Sequence, residues 1–161
     1  MYDSVNIFPL VNPKHLPEFE TIVLNFGFQK SNFKRIVTGL LALKFVTSKN
    51  SKVTISKHLN IFLKIKQGVP VGCKIVLRKK IMHQFYSKLT TSIFPKLKKG
   101  IVLKPPYKSL SITINNPLLF LELENSYETF KDIPKLDITF ITNSKSKKEY
   151  SFLLKSIKIF L

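Results

Sequence analysis

The chain has 161 residues, a length typical of one domain with its own hydrophobic core. Hydrophobic residues make up 44% of it, which excludes a disordered basic tail, and its single cysteine excludes an internal disulfide and a multi-cysteine zinc site. Lysine and arginine outnumber aspartate and glutamate by 27 to 9, which gives a formal net charge of +18.

The charge pattern contains a stretch from Thr21 to Leu121 without any acidic residue. This stretch holds seventeen lysines and two arginines, whose mutual repulsion favours a polyanionic ligand such as nucleic acid. It offers no carboxylate as general base, metal ligand or nucleophile. We therefore predict a protein that binds RNA or DNA without cutting it, is not an enzyme, and uses no cofactor and no metal. The acidic residues that return from Glu122 onward are expected to face something other than RNA.

The first half of the chain begins with an irregular segment, residues 1–17, which contains three prolines. Residues 18–25 alternate as in a strand that ends at Phe26-Gly27, and a helix is predicted from Ser31, with Ser31 or Asn32 as its N-cap. Residues 52–56 predict a short strand, residues 57–72 a long exposed loop, and residues 73–77 a further strand. The helix is expected to bury residues at helical spacing, namely Phe33, Ile36, Val37, Leu40 and Leu41.

The second half begins with a helix predicted over residues 79–92, followed by a basic connector at 96–109. Residues 110–114, 118–123 and 136–142 predict strands, and residues 146–149 match a capping box before a last helix. Strand alternation places Cys73, Ile75 and Leu77 on one face, and Lys74 and Arg78 on the other. The fold class is therefore predicted to be α+β, with a mainly antiparallel sheet, helices packed on one face and long basic loops.

Other chemistries find less support in the sequence. The three histidines, His15, His58 and His83, lie too far apart for HxxxH or HExxH metal spacing. Cys73 beside a spatially adjacent histidine could be a nucleophile, but a small buried strand residue is favoured. A small basic organellar nuclease or RNA-modifying enzyme is the alternative function, which the missing carboxylates disfavour. No apolar run approaches about eighteen residues and no long basic amphipathic helix is evident, so neither a membrane span nor binding to a membrane surface is predicted.

Three blocks of the sequence stand out, namely LKIKQGVPVGCKIVLR, residues 63–78; IVLNFG, residues 22–27; and KLDITFITNSKSKKE, residues 135–149. Together they resemble the large-subunit ribosomal protein L-five family, whose members bind 5S rRNA. The first block is similar to the family signature, the second resembles its first strand and turn, and the third resembles its last strand and the start of its final helix. The resemblance runs from about Pro17 to the C-terminus, so residues 18–161 are expected to form a single RNA-binding ribosomal domain.

The resemblance implies a structural constituent of the central protuberance of the large ribosomal subunit. Such a protein binds 5S rRNA and large-subunit rRNA, and contacts the peptidyl-site tRNA elbow and neighbouring ribosomal proteins, including one in the small-subunit head. Carried over residue by residue, the rRNA-binding positions are Asn25, Gly27, Thr54, Gln67, Gly68, Lys74 and Arg78. The loop expected to face tRNA contributes Lys57, His58, Lys64 and Lys66.

The composition also bears on the compartment. Abundant Lys, Ile, Phe and Asn with one alanine, Ala42, indicate AT-rich codons, as in an organellar or reduced genome. The N-terminus resembles neither a presequence nor a signal peptide, so we expect synthesis where the protein works. The predicted location is the mitochondrial matrix, in the mitoribosome, with the plastid or a bacterial cytoplasm as alternatives.

Overall fold

The computed structural model of the chain describes residues 17–28, 32–96, 108–144 and 146–156. The expectations for residues 1–16, for the possible cap at Ser31 and for most of the basic connector lie outside the described residues. The description below therefore concerns the sheet, the helices that cover it and the loops between them.

The centre of the fold is a five-stranded sheet in which all neighbouring strands are antiparallel, within the part of the chain that is described. Its spatial order is β2-β3-β1-β5-β4, so the first strand lies in the middle. The predicted α+β class is confirmed. The strands are β1, Phe19–Gly27; β2, Lys52–Ile55; β3, Pro70–Leu77; β4, Ser109–Ile114; and β5, Leu136–Thr142.

The helices differ greatly in length. Two long ones come early, and the second of them, α2, continues as a π-helical turn at Leu89–Ile93 and a 3-10 turn at Phe94–Lys96. Short helical turns follow β4, beginning with a 3-10 turn at Pro117–Leu119. The α-helices are α1, Phe33–Thr47; α2, Lys79–Lys88; α3, Leu121–Glu124; α4, Tyr127–Phe130; and α5, Lys147–Ser156.

One face of the sheet forms the hydrophobic core together with the helices. Alternate residues of the three central strands are fully buried there, as the period of two in each strand requires. Cys73, Ile75 and Leu77 are among them, which confirms the predicted face of β3. The other core residues of these strands are Ile22, Leu24, Phe26, Leu136, Ile138 and Phe140.

Helix α1 is capped by Asn32, one of the two residues predicted for this role. The Asn32 side chain accepts a hydrogen bond from the Lys34 amide at 3.0 Å. Its buried stripe, however, is rotated from the predicted one. Phe33 is 81% exposed and Leu41 is 40% exposed, whereas Gly39 and Ala42 are buried. The small residues were overlooked because they carry little hydrophobic signal. At Gly39 a Cβ would lie 2.8 Å from the Phe28 ring, so a residue without a side chain lets α1 approach the core closely.

The strand predicted at residues 118–123 is wrong, because this segment is helical. The Asn116 side chain accepts a hydrogen bond from the Leu118 amide at 3.1 Å, and Pro117 occupies the first position of the turn. Both features start a helix. A short apolar run does not by itself distinguish a strand from a buried helical turn.

The capping box predicted before the last helix is supported by a hydrogen bond between Ser146 and Glu149. The Ser146 hydroxyl accepts a hydrogen bond from the Glu149 amide at 3.2 Å, and Tyr150 and Leu153 are buried on the inner side of α5. The predicted inward positions Leu154 and Ile157 lie outside the side chains that the structure describes.

Candidate nucleic-acid interface

The face of the sheet opposite the core presents polar side chains from all five strands. We call it the open face. Its residues are exposed or half-buried, except for Gly72, which is buried. The open face comprises Lys52, Thr54, Gly72, Lys74, Val76, Val23, Asn25, Gly27, Asp137, Thr139, Ser111 and Thr113.

One row across the open face brings two predicted rRNA-binding residues together. Lys74 is paired in register with Asn25 on one side and with Lys52 on the other. Directly opposite residues of antiparallel strands lie about 5 Å apart, and like charges in such pairs are destabilising. The two lysines therefore form a positively charged site, and a bound anion would reduce the repulsion between them. Lys52 was not among the predicted site residues, although it was correctly predicted to lie in the short strand.

The same row continues into the other half of the sheet with an acid. Asn25 is paired with Asp137, and Asp137 with Thr113, whose hydroxyl donates a hydrogen bond to the carboxylate at 2.7 Å. Asp137, one of the returning acids expected to face something other than RNA, thus lies on the same face as Lys74, a predicted rRNA-binding residue. Alternation within β5 could have placed it there, since Asp137 lies opposite in phase to Leu136 and Ile138.

A neighbouring row contains two glycines and a threonine. Gly72 is paired with Thr54 and with Gly27. A Cβ at Gly72 would lie 2.5 Å from the Phe26 carbonyl oxygen and 2.7 Å from the Thr54 hydroxyl, so this glycine is required by packing. A Cβ at Gly27 would meet nothing within 4 Å, so its backbone is open to close approach by a ligand. Thr54 and Gly27, both predicted site residues, thus flank Gly72.

Arg78 lies just beyond β3, at the N-cap position of α2, and is exposed. Arg78 comes four positions after Lys74, and four positions of extended chain span about 13 Å at the usual rise of a strand. Lys79 and Lys80 follow it and are also exposed. Arg78 therefore extends the positive charge of β3 toward the start of α2, at some distance from the row of Lys52 and Lys74.

The segment between β2 and β3, predicted as a long exposed loop, is largely exposed and forms an ordered hairpin. The Ser56 amide donates to the Val69 carbonyl, and the Gly68 amide donates to the Ser56 carbonyl, both at 2.9 Å. Further out, Asn60 and Ile65 exchange two backbone hydrogen bonds of 2.9 and 3.0 Å. The predicted loop is also too long, because β3 already begins at Pro70. We call residues 56–69 the basic hairpin.

The basic hairpin carries the remaining predicted site residues. Gln67 and Gly68 form a turn at its base, beside the end of β2, and Gly68 has a φ of +81°, a conformation that favours glycine. The four side chains expected to face tRNA are all exposed. They are Lys57, His58, Lys64 and Lys66. The predicted residues thus divide into a group on the open face, a group on the hairpin, and Arg78 at the start of α2.

The tip of the basic hairpin holds a feature that the sequence analysis missed. Leu59, Ile61, Phe62 and Leu63 are exposed, and Phe62 is exposed to 99%. The signal was present in the sequence as three consecutive apolar residues between Asn60 and Lys64. Such a run inside a polar loop is unexpected, because exposed apolar groups are not stabilised by folding.

The described residues offer neither a cluster of metal ligands nor an accessible cysteine nucleophile. No group of three or more His, Cys, Asp or Glu side chains that could hold a metal ion occurs among them. Burial raises the pKa of the Cys73 thiol to about 11, and its Sγ donates to the Ile36 carbonyl at 3.4 Å. This confirms the buried strand residue rather than a nucleophile. Within the described residues, no helix has the length and hydrophobicity needed to cross a bilayer.

The chain is similar in sequence to known ribosomal proteins. Residues 70–160 match the model of the ribosomal L-five-P family C-terminus. The large ribosomal subunit protein uL5m of Reclinomonas americana is 34% identical over 163 residues, which cover 98% of this chain and 90% of the relative. The large ribosomal subunit protein uL5 of Wigglesworthia glossinidia brevipalpis is 33% identical over 147 residues, covering 88% and 82%. The chain is thus similar to ribosomal proteins along nearly its whole length. It belongs to the ribosomal L-five-P family, as the resemblance of its three sequence blocks predicted.

Proposed function

We propose that the protein is a structural constituent of the large ribosomal subunit and that it binds rRNA through its open face. Membership of the ribosomal L-five-P family supports the structural role. The observation that carries the RNA contact is the pairing of Lys52 with Lys74 beside Asn25. The lysines neutralise phosphates, and the asparagine amide donates to and accepts from 2′-hydroxyls or base edges.

The proposed rRNA is 5S rRNA together with adjoining large-subunit rRNA, in the central protuberance. Residues 18–161 act as one domain in this assembly. The rRNA contacts are assigned to Asn25, Gly27, Thr54, Gln67, Gly68, Lys74 and Arg78. The basic hairpin, with Lys57, His58, Lys64 and Lys66, is assigned to the elbow of the peptidyl-site tRNA. Neighbouring ribosomal proteins, including one in the head of the small subunit, complete the set of proposed partners.

The proposed location is the mitochondrial ribosome. The similarity to uL5m of Reclinomonas americana supports it, although bacterial uL5 proteins such as that of Buchnera aphidicola are also 32% identical. Fractionation of organelles followed by sedimentation at moderate salt tests the proposal. Co-migration with mitochondrial large subunits is the expected result, and recovery with cytoplasmic or plastid ribosomes would contradict the location.

The RNA-binding surface is tested with the double variant Lys74→Ala and Arg78→Ala. Both side chains are exposed, so the variant should keep the parent's unfolding free energy. We expect it to bind 5S rRNA more weakly in a filter-binding titration, because two phosphate contacts are lost. Equal binding at equal stability would contradict the site assignment.

A matched control removes the same charge elsewhere. The double variant Lys131→Ala and Lys148→Ala changes two exposed lysines outside the open face, of which Lys131 pairs with Glu128 at 3.2 Å. We expect this control to bind 5S rRNA much more tightly than the Lys74→Ala and Arg78→Ala variant. A similar loss in both would mean that total charge, rather than the open face, determines binding.

The alternative of a nuclease or RNA-modifying enzyme is tested on the same material. We propose that the protein has no catalytic activity, and expect 5S rRNA to stay intact and unmodified after incubation with magnesium and the purified protein. Magnesium-dependent cleavage or a mass change of the RNA would support the enzyme instead.

A further inference from the structure

The tip of the basic hairpin presents an aromatic ring that contacts almost nothing in the protein. Phe62 is 99% exposed, and its neighbours Ile61 and Leu59 are 77% and 64% exposed. Phenylalanine is among the residue types that proteins bury most readily, so a ring held wholly in solvent suggests a ligand. The ring belongs to the turn at residues 61–64, beyond the bridge between Asn60 and Ile65.

The backbone of the turn that carries this ring is ordered. The Asn60 side-chain oxygen accepts from the Leu63 amide at 3.2 Å, and the Ile61 carbonyl accepts from the Lys64 amide at 3.1 Å. Lys64 closes the turn with a φ of +52°. The bridge between Asn60 and Ile65 joins the two arms directly below the turn. Because this backbone is already ordered, only the side chain of Phe62 loses conformational freedom when the ring binds a ligand.

The charges around the tip indicate the class of ligand. Lys57, Lys64 and Lys66 are exposed on the hairpin, and residues 56–69 contain no carboxylate. A cationic segment with an aromatic end is suited to a polyanion that also offers flat apolar surfaces. Nucleic acid has both properties, since aromatic side chains stack on bases while lysines neutralise the adjoining phosphates.

We propose that Phe62 stacks on an exposed nucleobase face of the RNA that the basic hairpin binds. The inference rests on the proposed function, which assigns the hairpin to tRNA, and adds a contact of a different kind. Lys57, Lys64 and Lys66 supply attraction that salt weakens, whereas Phe62 supplies a contact that salt leaves nearly unchanged. Ile61 and Leu63 flank the ring and exclude water from the edge of the stacked base.

The chain contains no tryptophan, so Phe62→Trp introduces a single indole as a fluorescent probe. An unmodified tRNA transcript is expected to quench its fluorescence on binding, because bases that stack on indole quench it. Inorganic polyphosphate, which has the charge of RNA but no bases, should bind without comparable quenching. Phe33→Trp is the matched control, since Phe33 is also an exposed phenylalanine, at the start of α1. The indole at position 33 should keep its fluorescence when tRNA binds.

Affinity measurements on unlabelled variants distinguish stacking from simple apolar contact. Phe62→Ala should weaken binding of the tRNA transcript about 5- to 150-fold, with an unchanged slope of log affinity against log salt. Phe62→Leu keeps the apolar volume but loses the ring, and should weaken binding nearly as much. Parent-like binding by Phe62→Leu would overturn the proposal, because it would show that apolar volume rather than a stacked ring supplies the contact.

A last variant separates failure of this inference from failure of the proposed function. Lys64→Ala should weaken tRNA binding and make the salt slope shallower by about one phosphate contact. If Lys64→Ala weakens binding while Phe62→Ala and Phe62→Trp show no effect and no quenching, the hairpin binds RNA and the stacking inference is wrong. If the tRNA transcript binds none of the proteins, the proposed tRNA contact itself is wrong, and the stacking inference with it.

Discussion

Gly72 shows how tightly two neighbouring strands approach each other beneath the open face. Replacing it with alanine would place a Cβ 2.5 Å from the Phe26 carbonyl oxygen, which belongs to the backbone and has little room to shift. We expect Gly72→Ala to lower the free energy of unfolding by about 1–3 kcal/mol, as overpacking usually does. Urea denaturation of the purified variant measures the change.

Gly27 is the natural control for this substitution, because it is paired in register with Gly72 yet has open space around its Cβ position. Gly27→Ala should change the unfolding free energy by less than about 1 kcal/mol. An equal loss in the two variants would contradict the packing argument. A selective loss of rRNA binding in Gly27→Ala would support close approach of RNA at this strand end.

Cys73 tests the burial of the β3 face by chemistry. Burial raises the pKa of its thiol to about 11, and the side chain is fully inaccessible. Because only the thiolate reacts readily, we expect no alkylation by iodoacetamide in the folded protein at about pH 8. Mass spectrometry measures the reaction, and the same protein unfolded in concentrated urea should be labelled at its single cysteine. Rapid labelling of the folded protein would show that β3 is accessible.

Individual residues were predictable where a strand alternates without interruption. Lys74 and the buried Cys73 followed from the period of two in β3, and the structure places both as expected. The exposed Phe33 was not predictable in this way, because hydrophobicity alone assigned it to the core. The true stripe of α1 depends on Gly39 and Ala42, whose small size matters only once the helix meets Phe28 and the sheet.

Three elements are joined at one ion pair. Lys88, at the end of α2, donates to Glu122 of α3 at 2.6 Å and to the Val46 carbonyl of α1 at 3.0 Å. Burial alone would raise the pKa of Glu122, but the hydrogen bond from Lys88 and its positive charge outweigh this, so the pKa lies below its ordinary value of 4.5. Both side chains remain about one third exposed, which limits the strength of the pair.

We expect Glu122→Gln to lower the free energy of unfolding by about 0.5–1 kcal/mol at pH 7. A carboxyl whose pKa is lowered on folding stabilises the protein above its unfolded pKa, and this contribution disappears as pH falls through the folded pKa. The difference between the variant and the parent should therefore shrink below pH 4.5, the ordinary value. Urea titrations at pH 7 and in acid measure it. A difference that persists unchanged in acid would show that the glutamine substitution acts through packing.

Elements with a long regular pattern were predictable, and short ones that depend on local hydrogen bonds were not. The strand Leu136–Thr142 matches its predicted bounds, since its alternation runs through seven residues. The helical turn at Pro117–Leu119 depends on the Asn116 side chain, and the basic hairpin on hydrogen bonds between Asn60 and Ile65. The sequence analysis predicted a strand for the first segment and an exposed loop for the second. The apolar run of the one and the composition of the other contain no information about such hydrogen bonds.

Salt dependence tests the charge of the molecule as a whole. With six to ten phosphate contacts, affinity for 5S rRNA should fall about 10³- to 10⁵-fold between about 50 and 200 mM salt. The double variant Lys74→Ala and Arg78→Ala should make the slope of log affinity against log salt shallower by about two. Filter binding at four or more salt concentrations gives both slopes. A steep slope that the variant leaves unchanged would place the phosphates elsewhere on the protein.

The fold class followed from interleaved helices and strands, but the family required three blocks of sequence in the right order. Net charge by itself favoured any polyanion, and the acid-free stretch left the binding surface undefined. The strand order could not be obtained from the sequence, because it depends on which strands meet across the core. The side-by-side position of Lys52 and Lys74 follows from that order.

If RNA binds the open face as proposed, the position of Asp137 would affect the direction in which the RNA backbone crosses the sheet. Strands lie about 4.8 Å apart, so the carboxylate is two strands, or roughly 10 Å, from Lys74. That distance is about one Debye length at 0.1 M salt, so a phosphate near one charge still feels the other. A backbone that runs along β3 meets only positive charge between Lys74 and Arg78, whereas one that runs across the strands reaches a negative charge after β1. In the proposed RNA complex, this single carboxylate would favour an RNA backbone that runs along β3 over one that crosses the strands.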